Sequence, residues 1–219
     1  PNDVNCCQLE KLVSLAEKTG LYLDITGLGC YHKQDVPSWD EALDEKHRWA
    51  AQANFWKTIA LHCVNRPGVM FYAQMHEPVV PDRKQPDHQW IVPFGLAGEY
   101  FDQYIVLDPA GRKREAIADA WISQLSSTIR SVDHTHLISL GLLPNSLPGD
   151  KGTCGFTAVG AAKSLDFICV HIYPQRNKID ESLALLRTFD VGKPVIVEET
   201  FPLASGIAEE RDFIRRADG

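Results

Sequence analysis

An α/β fold, parallel strands alternating with helices on the (β/α)8 TIM-barrel plan, is what this 219-residue chain predicts. Three observations carry the prediction. Short apolar, β-prone runs alternate with segments of helical periodicity, which implies parallel strands joined by right-handed crossovers. The runs are apolar at successive positions, as strands buried on both faces are. Acids, a histidine and a tyrosine gather just after the C-terminal ends of these runs, the side on which barrels build their sites. No G-x-G-x-x-G or G-x-x-x-x-G-K-[ST] follows any run, which weakens the competing doubly wound, nucleotide-binding sheet.

Element by element, Leu9, Leu12, Val13 and Ala16 fall at helical spacing with Gly20 as a stop, so residues 8–19 read as an amphipathic helix. LYLDITGLG follows as a strand. Trp49, Ala53, Trp56, Ala60 and Cys63 mark a second helix that ends before Arg66-Pro67-Gly68, and VMFYAQM is the next strand. Ala118, Ile122, Leu125 and Ile129 mark a third helix, after which HLISLGLL reads as a strand stopped by Pro144. LDFICVHIY is a fourth strand, Ile179, Leu183 and Leu186 mark a short helix, and residues 194–197 form a fifth strand before a polar closing helix. Residues 1–219 thus read as a single domain.

Composition narrows the function. With 44% hydrophobic residues and five tryptophans the chain can bury a substantial core. A net charge of −7 argues against nucleic acid as a partner, because phosphate backbones are held by clustered Lys and Arg. No run of about 18 apolar residues suggests a membrane span. The six cysteines, Cys6, Cys7, Cys30, Cys63, Cys154 and Cys169, form no C-x-x-C pair and read as structural thiols.

The stretch FYAQMHEPVVP concentrates the chemistry. A buried strand ends abruptly in His76-Glu77-Pro78; His171 and Tyr173 end another strand, and Glu198 and Glu199 end the last. For any one of these residues the bland alternative is a polar loop or a helix N-terminus that welcomes an acid. Their gathering on the same ends of three strands favours a site. Two carboxyls facing each other divide labour: one donates a proton to a leaving oxygen, and the other attacks or activates water. A tyrosine hydroxyl beside the attacking carboxylate orients it and keeps it ionised.

These motifs resemble those of the cellulase-like glycoside hydrolases of family 5, a family in the retaining clan of (β/α)8 barrels. YAQMHEP is similar to the strand-four motif that carries the acid/base glutamate, CVHIYP to the strand-six His-x-Tyr, and KPVIVEETF to the strand-seven segment with the nucleophile. The resemblance makes the recognisable strands numbers three to seven, with the first two and the last absent. It implies retaining hydrolysis of O-glycosidic bonds in a β-linked glycoside or polysaccharide, with a carbohydrate substrate and no cofactor. Glu77 becomes the acid/base, Glu199 the nucleophile, and His76, His171 and Tyr173 the substrate-binding residues. Glu198 competes with Glu199; Glu199 is preferred on the motif and because it shares strand parity with Val195 and Val197. The chain departs from the pattern at His76, where the family has asparagine, and after LYLDITGLG, where the family often has a histidine.

The 78–111 segment is long for a connection within a compact domain and carries Trp90, Phe94, Tyr100, Phe101 and Tyr104. Aromatic faces suit the C–H faces of sugar rings, and Trp90 is the candidate sugar contact, against the alternative that these rings anchor the loop. Two other functions stay open. His134 and His136 have the H-x-H spacing of metal-dependent barrel hydrolases, although they open a strand rather than close one. A barrel remnant that binds carbohydrate without turnover is the other.

Overall fold

The computed structural model describes residues 2–29, 32–93, 95–149 and 151–217; Cys30 and Phe94 lie outside them. Five strands, β1 (Leu23–Thr26), β2 (Val69–His76), β3 (Leu137–Leu142), β4 (Ile168–His171) and β5 (Val195–Glu199), pair in parallel in chain order. The principal helices are α1 (Asp3–Thr19), α2 (Glu45–Cys63), α3 (Arg114–Arg130), α4 (Ile179–Arg187) and α5 (Ile207–Ala217). The sheet curls into a half-barrel, so that Asp24 on one edge strand hydrogen-bonds Glu198 on the other. β1 and β5 remain edges: every residue of β5 is only half-buried, whereas all of β4 is buried.

Local chemistry explains where the elements begin. α1 starts at Asp3, earlier than periodicity alone suggests, because Asn2 caps it by accepting a 2.9 Å bond from the Asn5 amide. Asp44 caps α2 in the same way through the His47 amide, at 2.9 Å. The strand read from LDFICVHIY is only Ile168–His171. Asp166 does not extend it; its carboxylate instead accepts from the Ile138 amide at 2.7 Å and pairs with Arg130. The long 78–111 segment carries its own small pairings, Pro78–Val79 with Gln103–Tyr104 and Gly95–Leu96 with Glu99–Tyr100, neither of which hydrophobic periodicity reveals.

The core has two parts. Between sheet and helices, Trp56, Tyr72, Trp121, Ile122 and Leu125 are fully buried, and the indole N–H groups of Trp56 and Trp121 donate to the Gln74 carbonyl (3.0 Å) and Gln52 Oε1 (2.8 Å). On the concave side Phe71, Ala73, Phe167 and Cys169 form a smaller cluster, with Phe71 and Phe167 edge to face at 4.9 Å. Phe71 and Ala73 lie on β2 and Cys169 on β4, ahead of the strand ends where the polar residues sit. The five described cysteines are free thiols.

Candidate active site

The C-terminal end of β2 turns out of the sheet at Glu77. This residue has φ of +46°, a left-handed conformation costly for a side-chain-bearing residue. Its amide donates to the Gly141 carbonyl at 3.1 Å and its carbonyl accepts from the Gln103 amide at 3.4 Å, so both neighbouring segments hold the strained turn. Gly141 on β3 leaves room for the ring of His171. A Cβ there would lie 2.9 Å from His171 Nε2, so only glycine lets the imidazole sit against the sheet.

His171, 1% exposed, anchors the site. Its Nδ1 lies 2.7 Å from Glu77 Oε1 and 3.9 Å from Glu199 Oε2, and its Nε2 lies 3.6 Å from Glu198 Oε2. Burial alone would lower its pKa, but the adjacent Glu198 and Glu77 carboxylates outweigh this and push it up to about 9. His76 makes the second bridge: Nε2 lies 3.0 Å from Glu199 Oε2, and Nδ1 lies 3.3 Å from the Phe101 carbonyl and 3.8 Å from Glu77 Oε2. Its pKa is also raised, burial being outweighed by Glu199 and Glu77.

Glu199 accepts hydrogen bonds from His76 and from the Tyr173 hydroxyl. The His76 bond, working against burial and helped by Tyr173, holds its carboxyl down at about 2. Glu77 and Glu199 both lie within 4 Å of the same imidazole nitrogen, so their carboxylates share one small space. Glu198 turns instead to Asp24. Neighbouring strand residues ordinarily face opposite ways, but a register shift between Val170 and His171 at the β4–β5 pairing accompanies the meeting of both glutamates with His171.

Two acids missed by motif reading complete the electrostatics. Asp102, delivered by the long segment, hydrogen-bonds Glu77, and burial together with that carboxylate pushes its pKa up to about 7. Glu77 is correspondingly held low, burial being outweighed by its bonds to His171 and Asp102. Asp24 is raised by partial desolvation and by Glu198, although its outer side is open to solvent. Each pair is two carboxyls sharing one proton. The only sequence signal for Asp102 was its place in an unusually long loop.

Of the residues singled out from sequence, the fold brings together Glu77, Glu199, His76, His171 and Tyr173. It does not bring Trp90. That ring is 4% exposed, donates through Nε1 to the Glu41 carbonyl at 3.2 Å and is covered by the Arg48 guanidinium at 4.3 Å. The expected sugar platform is therefore a loop anchor; Phe201, 42% exposed and 4.8 Å edge-on from Tyr173, is the open aromatic beside the glutamates. The H-x-H pair is structural too. His136 Nδ1 bonds Asp133 at 2.6 Å and Nε2 meets the Arg66 carbonyl at 2.9 Å, at the opposite end of the strands, and His134 is exposed.

No family model and no curated protein matches the chain. Solved structures do. An exo-β-1,4-mannosidase, Op5Man5 from Opitutaceae bacterium strain TAV5, superposes with a TM-score of 0.69 at 14% identity over 97% of this chain and 39% of that one. GH5_18 from Streptomyces cattleya in complex with GlcNAc gives 0.55 at 14% over 84% and 39%. A β-glucuronidase from an uncultured Clostridium sp. gives 0.55 at 14% over 95% and 32%. The likeness is one of fold alone, and the chain spans about two fifths or less of the length of these structures.

Proposed function

We propose that the chain is a glycoside hydrolase of the retaining type, acting on β-linked sugars, with Glu199 as nucleophile and Glu77 as acid/base. The observation that supports this most is the placement of Glu77 and Glu199 against one imidazole nitrogen, 2.7 and 3.9 Å from His171 Nδ1. Retaining enzymes set their carboxyls about 5–5.5 Å apart, inverting ones about 6.5–9.5 Å. Two oxygens at these distances from one atom stand no more than about 6.6 Å apart, a limit that takes in the shorter class and meets only the lower edge of the longer one.

The roles follow from the surroundings. Glu199, ionised by the His76 and Tyr173 bonds, attacks the anomeric carbon, and the leaving oxygen takes a proton from the Glu77 side. Glu77 is itself held ionised in the free protein, so the proton it transfers is the one it shares with Asp102. Water then attacks the glycosyl ester, with Glu77 accepting its proton, and the configuration is retained. Specificity lies in the contacts to individual hydroxyls, and the fold does not supply it.

A panel of aryl β-mannosides, β-glucosides and β-glucuronides tests the reading. Proton NMR of the first-formed sugar should show the β-anomer, with turnover lost in Glu77→Gln and Glu199→Gln. An α-anomer as first product contradicts it. A second reading, binding without turnover, draws on the His76 imidazole, which bonds Glu199 and stands 3.8 Å from Glu77 in space a sugar would need. Tight sugar binding with no hydrolysis of any substrate in the panel would favour it.

A further inference from the structure

His76 and His171 stand with ring centroids 4.8 Å apart, each with an inner nitrogen closest to Glu77 or Glu199 and an outer one farther from them. The outer nitrogens are His76 Nδ1, 3.3 Å from the Phe101 carbonyl, and His171 Nε2, 3.6 Å from Glu198 Oε2. The inner ones are His76 Nε2, 3.0 Å from Glu199 Oε2, and His171 Nδ1, 2.7 Å from Glu77 Oε1. Ligand atoms of His76, Glu77 and His171 all lie within 4.8 Å of one another, and all three residues are buried.

Small side-chain shifts would let these atoms converge on one ion. Zinc binds imidazole nitrogen and carboxylate oxygen at about 2.0–2.2 Å, which sets tetrahedral ligand atoms roughly 3.3 Å apart. Histidine ligands are oriented by giving their other N–H to a carboxylate or a backbone carbonyl, and Glu198 and the Phe101 carbonyl stand in those two positions. Glu198 Oε2 is moreover a buried oxygen without a hydrogen-bond partner, and it is the atom the His171 Nε2–H faces.

We propose that this cluster binds one divalent transition-metal ion of the zinc class, with His76, Glu77 and His171 as ligands and water in the fourth position. On binding, the ion takes the place of the protons on the two inner nitrogens, which pass to solvent; no covalent bond of the protein breaks and no group changes oxidation state. Mixed nitrogen and oxygen donors select zinc-like ions over Mg²⁺ and Ca²⁺, which prefer oxygen shells. Metal and glycoside would compete for Glu77. That competition rests on the glycosidase reading, whereas the binding itself does not.

Isothermal titration of EDTA-treated, dialysed protein with ZnCl₂, and separately with MgCl₂, tests the site without any substrate. One zinc per chain is expected, with no magnesium binding. Affinity should fall at least tenfold in His76→Ala and about tenfold in Glu198→Gln, and stay unchanged in the surface control His134→Ala. Should His76→Ala fail to fold, the wild-type chain loaded with Co²⁺ decides: intense visible bands of a four-coordinate complex support the site, and their absence overturns it. No zinc binding, or binding undiminished in His76→Ala and Glu198→Gln, also overturns it. Hydrolysis measured in metal-free buffer is unaffected by any of these outcomes.

Discussion

His171 lies between two glutamates, with Nδ1 2.7 Å from Glu77 and Nε2 3.6 Å from Glu198. One imidazole thereby ties the end of β2 to the end of β5, and it carries a positive charge because both neighbours are acids. Its contribution to stability has a defined pH window. With a folded pKa of about 9 against an ordinary value near 6.5, the contribution is fully present below about pH 6.5 and is lost as pH rises through 9. Denaturant titrations from pH 6 to pH 10 should show the wild type losing on the order of 3 kcal/mol relative to His171→Gln; parallel curves would contradict a charged imidazole here.

On the proposed reading, Asp102 sets the alkaline limb of hydrolysis. Together with Glu77 it holds one proton up to about pH 7, whereas Glu199 stays ionised down to about 2. The kcat/KM profile should therefore fall on the alkaline side near pH 7. In Asp102→Asn the shared proton is gone and Glu77, facing His171, is held low. The limb should move more than one unit toward acid, and an unmoved profile would remove Asp102 from the proton inventory.

Gly141→Ala tests the close approach of His171 to the sheet. The added methyl would sit 2.9 Å from Nε2 and 3.5 Å from Glu198 Oε2. Overpacking of this kind costs about 1–3 kcal/mol, and displacement of the imidazole should lower kcat more than tenfold. A variant with wild-type kcat would mean that the imidazole position is not critical.

Trp90→Ala should act on folding alone. Removing a buried tryptophan costs about 3–5 kcal/mol, so the melting temperature should drop, while KM measured well below it stays within about twofold. A large rise in KM with little loss of stability would restore the sugar-contact role.

Asp133 offers a comparison outside the site. It is fully buried and accepts bonds from Tyr72 (2.8 Å), from His136 Nδ1 (2.6 Å) and from the Thr135 amide (2.9 Å). Asp133→Ala should destabilise by about 3 kcal/mol or more, because these donors and those of the Thr135 hydroxyl and the His136 amide lose their acceptor, and it should leave the pH profile of activity in place. A shifted profile would mean that the two ends of the barrel communicate.

Much of this was legible in the sequence, for identifiable reasons. Strand ends announce themselves where an apolar run meets His76-Glu77-Pro78 or Glu198-Glu199, since periodicity stops and chemistry begins. The five strands followed from alternation, whereas their neighbour order needed the structure. What periodicity could not supply was contact between distant loops. Asp102 reaches Glu77 only because the Gln103–Tyr104 segment pairs with Pro78–Val79, and Asp24 reaches Glu198 only because the sheet curls. Trp90 misled because an aromatic in a long loop has the same sequence signature whether it faces a ligand or, as here, the Arg48 guanidinium.

In the proposed mechanism Glu199, and not Glu198, forms the bond to sugar. Incubation with 2-deoxy-2-fluoro aryl β-glycosides of the panel, followed by intact mass measurement and peptide mapping, tests this assignment. One added fluoro-glycosyl group per chain is expected, located on Glu199 and lost in Glu199→Gln. A label on Glu198, or no label from a glycoside that the protein hydrolyses, would contradict it.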